Sequence, residues 1–276
     1  MQKLRICFLG TGSMGSAVLK GLLASGYESK LISATTQTES SAKNLRALGV
    51  SALSLESSAD ANVLLSSDAQ VVVLGVKPYK IADVLTEIRE ELPKDAVVIS
   101  MAAGIEIATM AEKLPNHPNL IRTMPNTPAL VGKGVTGVAA SATASAEALE
   151  TALNLFETVG EAVEVKEDQI NALSAISGSG PAWLMFIVEK WEEVAIARGF
   201  TKEQAATLVR STLIGSAALL AQTGEEPSVL RKNVTSPGGT TERIIATLEE
   251  ANLTKLFDQA LQAAALRADE IARSKG

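Results

Sequence analysis

In the first half of the chain, short continuous apolar runs alternate with stretches whose apolar residues recur at helical spacing. "LRICFL" (residues 4–9) reads as a buried strand. It is followed by "GTGSMGSAVLKGLLASGY", where Val18, Leu19, Leu22 and Leu23 share one helical face. "KLISAT" predicts the next strand and "SAKNLRALG" a short helix. The run "QVVVLGVKP" has no polar side, as expected of a strand covered on both faces of a parallel sheet. Pro78 opens "PYKIADVLTEIREEL", a helix with proline in its first turn. "DAVVISMAAG", "NLIRTMP", "GVTGVAAS" and "AVEVKE" predict further strands, and "AEALETALNLFETVG" a helix before the last of them. Strands alternating with helices imply an α/β fold with a doubly wound, Rossmann-type parallel sheet.

Near residue 166 the pattern changes. Helical periodicity continues over 167–176, 180–198, 202–222, 227–233, 239–250 and 253–273, with no strand pattern between. We therefore divide the chain into residues 1–165, the α/β domain, and 166–276, an all-helical domain. Within the second, the apolar run Trp183 to Val188 covers every face of its helix. A helix apolar all round is buried all round, and a small helical domain can hardly supply that cover alone. The run points to a homodimer built through this region; the alternative is the central helix of a monomer's bundle.

Composition narrows the function. With 3% aromatic residues and a net charge of −6, the chain lacks the basic patches and stacking rings that nucleic acid calls for. The apolar runs "VVVLGV" and "WLMFIV" fall short of a membrane span. No targeting pattern is visible, so no membrane and a cytoplasmic location are expected. Cys7, the single cysteine, sits in an apolar run and reads as an inert core thiol. His117, the single histidine, reads as a solvated residue of the loop "LPNHPN", and no Cys/His cluster has metal-ligand spacing, so no metal is expected.

Gly10-Thr11-Gly12-Ser13-Met14-Gly15 matches GxGxxG between the first strand and the first helix. In that context the first glycine permits the tight turn, the second lets backbone N–H groups approach a pyrophosphate, and the third lets helix and strand pack closely. The second strand ends Ser33-Ala34-Thr35-Thr36-Gln37, without the acid that commonly binds the ribose in NAD sites. Hydroxyls there, with Lys43 or Arg46 nearby, favour NADP(H), with NAD(H) the alternative. "GVKP", "MAAG" and "MPNTP" are further small-residue edges after strands, where such sheets bind ligands. Lys77 is read as positioning the cofactor rather than as a general acid.

No acid–base machinery accompanies this cofactor site. A reductase of a cationic iminium needs little of it; it needs a hydride, a fixed position and a place for the substrate's carboxylate. "SPGGTT" (236–241) could be that place, with the N–H groups of Gly238, Gly239 and Thr240 at a helix start. Equally, Ser236 or Thr240 could simply cap the helix.

The motifs "FLGTGSMG", "GVKP", "MAAGI", "RTMPNTPALVGKG", "ISGSGPAW" and "KNVTSPGGTT", in this order, resemble the pyrroline-5-carboxylate reductase family nearly end to end. The resemblance implies a dinucleotide-binding domain and a helical domain that interlocks with a second subunit, with rings of dimers in some members. It also implies reduction of 1-pyrroline-5-carboxylate to L-proline by NADPH or NADH, the last step of proline synthesis. Carried over by position, Gly10, Thr11, Gly12, Ser13 and Met14 would hold the pyrophosphate. Thr35 or Thr36, with Asn62, would lie around the adenosine ribose or its 2′-phosphate. Val76, Lys77 and Pro78, with Ala102, Ala103 and Gly104, would line the nicotinamide half. Glu167, Asn233, Ser236, Gly238, Gly239, Thr240 and Thr241 would surround the substrate, with the catalytic Thr241 beside the imine nitrogen. Three departures stand out: Val194 and Ala195 where relatives carry two small residues, Gly224 in place of an acid, and Glu242 after the threonine pair. Weighed against this are a reductase of pyrroline-2-carboxylate, a β-hydroxyacid dehydrogenase, and a non-catalytic NADPH sensor. The dehydrogenase is disfavoured because Lys190 comes too late in its helix.

Overall fold

The computed structural model describes residues 3–273. Eight strands form one sheet: β1 (Ile6–Leu9), β2 (Ile32–Thr36), β3 (Ser51–Ser54), β4 (Val71–Leu74), β5 (Val97–Ser100), β6 (Leu120–Pro125), β7 (Gly134–Ala140) and β8 (Gly160–Glu164). Their order is β3-β2-β1-β4-β5-β6-β7-β8, so the chain reverses direction across the sheet between β1 and β4. The sheet is not purely parallel, as the sequence suggested: β6 and β7 pair antiparallel, while β8 runs parallel to β7. Strand direction depends on long-range pairing, which local pattern does not encode.

The helices of this region are α1 (Ser13–Ala24), α2 (Glu39–Arg46), α3 (Ala61–Ser66), α4 (Ile81–Ile88), α5 (Ile107–Lys113) and α6 (Ala146–Glu157). They cover both faces of the sheet, and period-two alternation divides each strand between two cores. Ile6 and Phe8 pack with Val18, Leu19, Leu22, Leu155 and Phe156. Cys7 and Leu9 pack with Ile81, Leu85, Ile88 and Met110 on the other face. Burial pushes the Cys7 thiol up to about 12, so it stays protonated and unreactive at neutral pH.

After β8 come α7 (Ile170–Leu173), a π-helical turn (Ser174–Gly178), α8 (Gly180–Ala197), α9 (Lys202–Thr223), α10 (Pro227–Asn233), α11 (Thr240–Glu250) and α12 (Leu253–Arg273). The chain divides into two compact units, the second comprising Gly180–Ala263. Within that unit, a capping box of Thr201 and Gln204 starts α9 and Gly224 ends it in the left-handed conformation, with φ +62°. An acid would be strained at Gly224, which accounts for that departure. Glu192 of α8 takes two hydrogen bonds from Arg210 of α9, at 2.7 and 3.3 Å, and Trp183 stacks at a tilt on Phe257, centroids 5.5 Å apart.

Most of α8 is open: Val188 is its one buried residue, while Trp183, Met185, Phe186, Ile187, Trp191 and Val194 are each more than 40% exposed. Within the helical stretch Glu167–Ala197, of 31 residues, an 18-residue window has mean hydropathy 1.2, long and apolar enough to cross a membrane by length and composition alone. The run "WLMFIV" alone remains short of a span; the stretch that passes this test is longer.

Candidate active site

Three loops gather where the strand order reverses. Gly10 follows β1 with φ +82°, a conformation that favours glycine. A Cβ there would also lie 2.6 Å from Val76 Cγ1. The loop after β4 comes equally close, since a Cβ on Gly75 would stand 2.1 Å from the Gly10 carbonyl oxygen. The loop after β5 joins them through Met101, whose N–H donates to Leu74 O at 3.2 Å. Gly10–Met14, Val76–Pro78 and Ala102–Gly104 thus line one edge of the sheet, as their positions after β1, β4 and β5 require.

The glycines of the first loop differ in what they provide. A Cβ on Gly15 would meet the Gly10 carbonyl oxygen at 2.9 Å, so this glycine lets α1 pack onto the loop. A Cβ on Gly12 would meet nothing closer than 4.0 Å. The protein leaves that space open, and Gly12 is the N-cap of α1 with no side chain capping the helix. Open space beside uncapped N–H groups at the positive end of a helix suits a pyrophosphate, so these residues fit a dinucleotide.

The ribose end is less simple. Thr35 is 1% exposed and its hydroxyl accepts the Gly10 N–H at 3.0 Å, while its carbonyl accepts the Thr11 N–H at 3.1 Å. Thr35 therefore holds the glycine loop in place. Thr36 is also buried, its hydroxyl donating to Thr38 O at 2.9 Å. Asn62 is 2% exposed and donates to Glu87 at 2.9 Å, with its Oδ1 buried and unpartnered. Gln37, Thr38 and Lys43 are among the exposed residues just beyond β2. Arg46 is engaged by Glu39 and by Ala52 O, and Glu56 accepts the Glu39 N–H at 2.8 Å at the start of α2.

Strand β6 contributes residues that the sequence reading passed over. Arg122, 2% exposed, reaches Glu167 at 3.5 Å and donates to Asn171 Oδ1 at 2.9 Å. Glu167 is half-buried and accepts the Ile107 N–H at 2.6 Å. Thr123 donates to Ser100 O at 2.9 Å, and Asn126 donates to Ser177 O at 3.0 Å within the π-helical turn. "MPNTP" is thus an anchor for the segment after β8 as well as an edge of the sheet. A charged residue inside the apolar run "NLIRTMP" was the available signal. His117 is not a solvated loop residue: its ring is half-buried, with Nε2 2.7 Å from Ala96 O, and burial lowers its pKa. It precedes β6, at the end of that strand opposite the cofactor loops.

In the helical unit, Asn233 ends α10, and "SPGGTT" forms a turn into α11. Gly238 has φ +72°, and the Gly239 N–H donates to Ser236 O at 2.9 Å. The N-cap is Gly239, with no side-chain cap, so neither Ser236 nor Thr240 caps this helix. The hydroxyls of Ser236, Thr240 and Thr241 have no hydrogen-bond partner among the described residues. Glu242 turns back to accept the Gly238 N–H at 2.8 Å. Of the three N–H groups read as an anion site, those of Gly238 and Gly239 are therefore already engaged.

Comparison with known proteins bears on both units. A family model for pyrroline-5-carboxylate reductase dimerisation matches residues 167–271, and one for coenzyme F420-dependent NADP oxidoreductases matches residues 5–104. A pyrroline-5-carboxylate reductase of Corynebacterium melassecola is 38% identical over 97% of this chain and 98% of its own length. The solved structure of such a reductase from Coxiella burnetii superposes with a TM-score of 0.93 at 36% identity, covering 98% of this chain and 99% of the other. That of Plasmodium falciparum pyrroline carboxylate reductase, solved with NADP bound, shares the fold at a TM-score of 0.82 and 24% identity, covering 99% of each chain.

Proposed function

The chain belongs to the pyrroline-5-carboxylate reductase family, and from that premise we propose how its residues reduce 1-pyrroline-5-carboxylate to L-proline with NAD(P)H. Gly10 to Met14 hold the pyrophosphate against the start of α1. Val76 to Pro78 and Ala102 to Gly104 line the nicotinamide half. Thr35 shapes the glycine loop, which leaves Gln37, Thr38 and Lys43 to meet the adenosine ribose and, in NADPH, its 2′-phosphate. When bound, NAD(P)H supplies the hydride that C5 of the ring accepts.

On the substrate side, Ser236 and Thr240, flanking the Gly238–Gly239 turn, hold the carboxylate, with Asn233 at the margin of the ring. Thr241 hydrogen-bonds the ring nitrogen and fixes the plane of the C=N bond. A threonine hydroxyl is too weak an acid to give up its proton, so the nitrogen's proton arrives with the substrate or from solvent. The observation that carries this reading is the start of α11, where three hydroxyls stand unbonded around a glycine turn.

The helical unit makes the chain a homodimer, and the open apolar side of α8 is the surface this pairing would cover. That use of α8 is preferred to a membrane span because Glu189, Glu192 and Glu193 would lie on the same helix. Assembly of dimers into rings and a cytoplasmic location belong to the proposal, as does the absence of nucleic-acid or membrane partners.

The test is NADPH consumption by the purified protein with 1-pyrroline-5-carboxylate, with pyrroline-2-carboxylate and NADH run alongside. Rapid turnover yielding proline is expected with the first substrate. Activity with pyrroline-2-carboxylate alone would move the reacting carbon, and oxidation of neither would leave a nucleotide-binding protein without this chemistry.

A further inference from the structure

We propose that Arg122 is a positioning residue for the reduction, acting through Glu167 on the loop that follows β5. The inference rests on the reading that Ala102–Gly104 line the nicotinamide half. Burying a guanidinium in the middle of a sheet is costly unless its donors are used. Arg122 is 2% exposed between two small register partners, Ser100 on β5 and Ala139 on β7. Two of its nitrogens reach outward, to Glu167 at 3.5 Å and Asn171 at 2.9 Å, while Nε is buried without a partner. An arginine placed only to fill space would not need this arrangement.

The loop from Met101 to Glu106 is gripped at both ends by the surroundings of this side chain. At its start, Ser100 pairs with Arg122 in the sheet, and the Ser100 hydroxyl accepts the Ala102 N–H at 3.3 Å. At its end, the Ile107 N–H, the first of α5, donates to the same Glu167 oxygen that Arg122 reaches. The arginine neutralises and orients Glu167, and Glu167 fixes where α5 begins. Between these two anchors the backbone of Ala102 to Gly104 has little freedom to shift along the sheet edge. A displacement of about 1 Å in a surface that orients a reacting ring is enough to cost on the order of 100-fold in rate.

Two variants interrupt the relay at different points. Arg122→Met removes the guanidinium. Ile107→Pro removes the N–H, at a first helical position where proline is well accepted and after a residue already extended, with φ −86° and ψ 158°. Because the Ile107 side chain is also part of the core, Ile107→Ala, which keeps the N–H, is its control and should keep kcat. Arg122→Met and Ile107→Pro are each expected to lower kcat about tenfold while the Kd for NADPH, read by fluorescence, stays within about twofold. Because both act through Glu167, the double variant should lose no more than the worse single one. Arg122→Lys, which keeps the charge, should recover part of the loss. Unchanged kcat in either folded variant, or losses that multiply in the double variant, would overturn the proposal; if Arg122→Met does not fold, Ile107→Pro decides alone. Ala103→Leu, at an exposed loop position, separates this from the reading beneath it. If Ala103→Leu lowers kcat and the relay variants do not, only the role of Arg122 is lost. If Ala103→Leu has no effect, the nicotinamide assignment falls with it.

Discussion

The two units of this chain are finished to different degrees. In the sheet unit, Ile6 to Leu9 and Val71 to Leu74 are fully buried, covered from both sides by helices of the same chain. In the helical unit, α8 has 18 residues and buries Val188 alone, although its run Trp183 to Val188 is as free of polar residues as those strands. The contrast lies in what supplies the cover. The strands find it within their own unit, whereas Trp183, Phe186, Ile187 and Trp191 of α8 stay open, the side proposed for a second copy to bury. A similar contrast separates the hydroxyls near the two candidate sites. The hydroxyls of Thr35, Thr36 and Thr123 are spent on the backbone, whereas those of Ser236, Thr240 and Thr241 are not.

The largest effect should come from giving the open face a charge. Phe186→Asp is expected to weaken self-association about 100-fold or more, because the carboxylate must be desolvated without a partner. Sedimentation should show monomers while NADPH binding to the sheet unit survives; an unchanged dimer would mean that this side of α8 is not the interface. Next is Thr241→Val, which removes one hydrogen bond to the reacting nitrogen. It should lower kcat about 100-fold with the NADPH Kd unchanged, and undiminished turnover would remove the residue from the chemistry.

A third comparison sets two glycines of one loop against each other. Gly12→Ala should leave the melting temperature nearly unchanged, since its Cβ has room, yet weaken NADPH binding about tenfold by filling the cradle. Gly10→Ala should instead destabilise the fold, since it meets both a positive φ and Val76 at 2.6 Å. Thermal melts paired with nucleotide titrations would distinguish them, and equal effects on both readouts would erase the distinction. The smallest effect is expected at Glu242. Glu242→Ile frees the Gly238 N–H, and the substrate's KM should fall about threefold, within the worth of one hydrogen bond to a charged group. A higher KM would show that the carboxylate supports the turn more than it competes for it.

Much of this organisation is legible in the residue pattern, for identifiable reasons. Strands buried on both faces announce themselves as unbroken runs such as "VVVL", and the helices of the second unit as periodic stretches bounded by Thr201, Gly224 and the glycine pair. The elements that escape are those with weak local signals. Strand β3 is "SALS", short and at the sheet edge, and α3 and α5 have six and seven residues. The antiparallel course of β7 follows from pairing with β6, which no local window contains. In the site, glycine positions could be read because backbone geometry restricts them to glycine. Side-chain direction could not: Thr35 and Asn62 look like surface ligands in the sequence and are buried. Arg122 was hidden for the opposite reason, a functional charge inside a run that reads as core.

The most direct test of the proposed chemistry is isotopic. NADPH carrying deuterium at the transferable position of nicotinamide C4 would be turned over with 1-pyrroline-5-carboxylate, and the product examined by mass spectrometry and NMR. Proline with one deuterium, located at C5, is the expected result. Proline without label, or label at any other carbon, would contradict the assignment of this chain's residues to hydride delivery at C5.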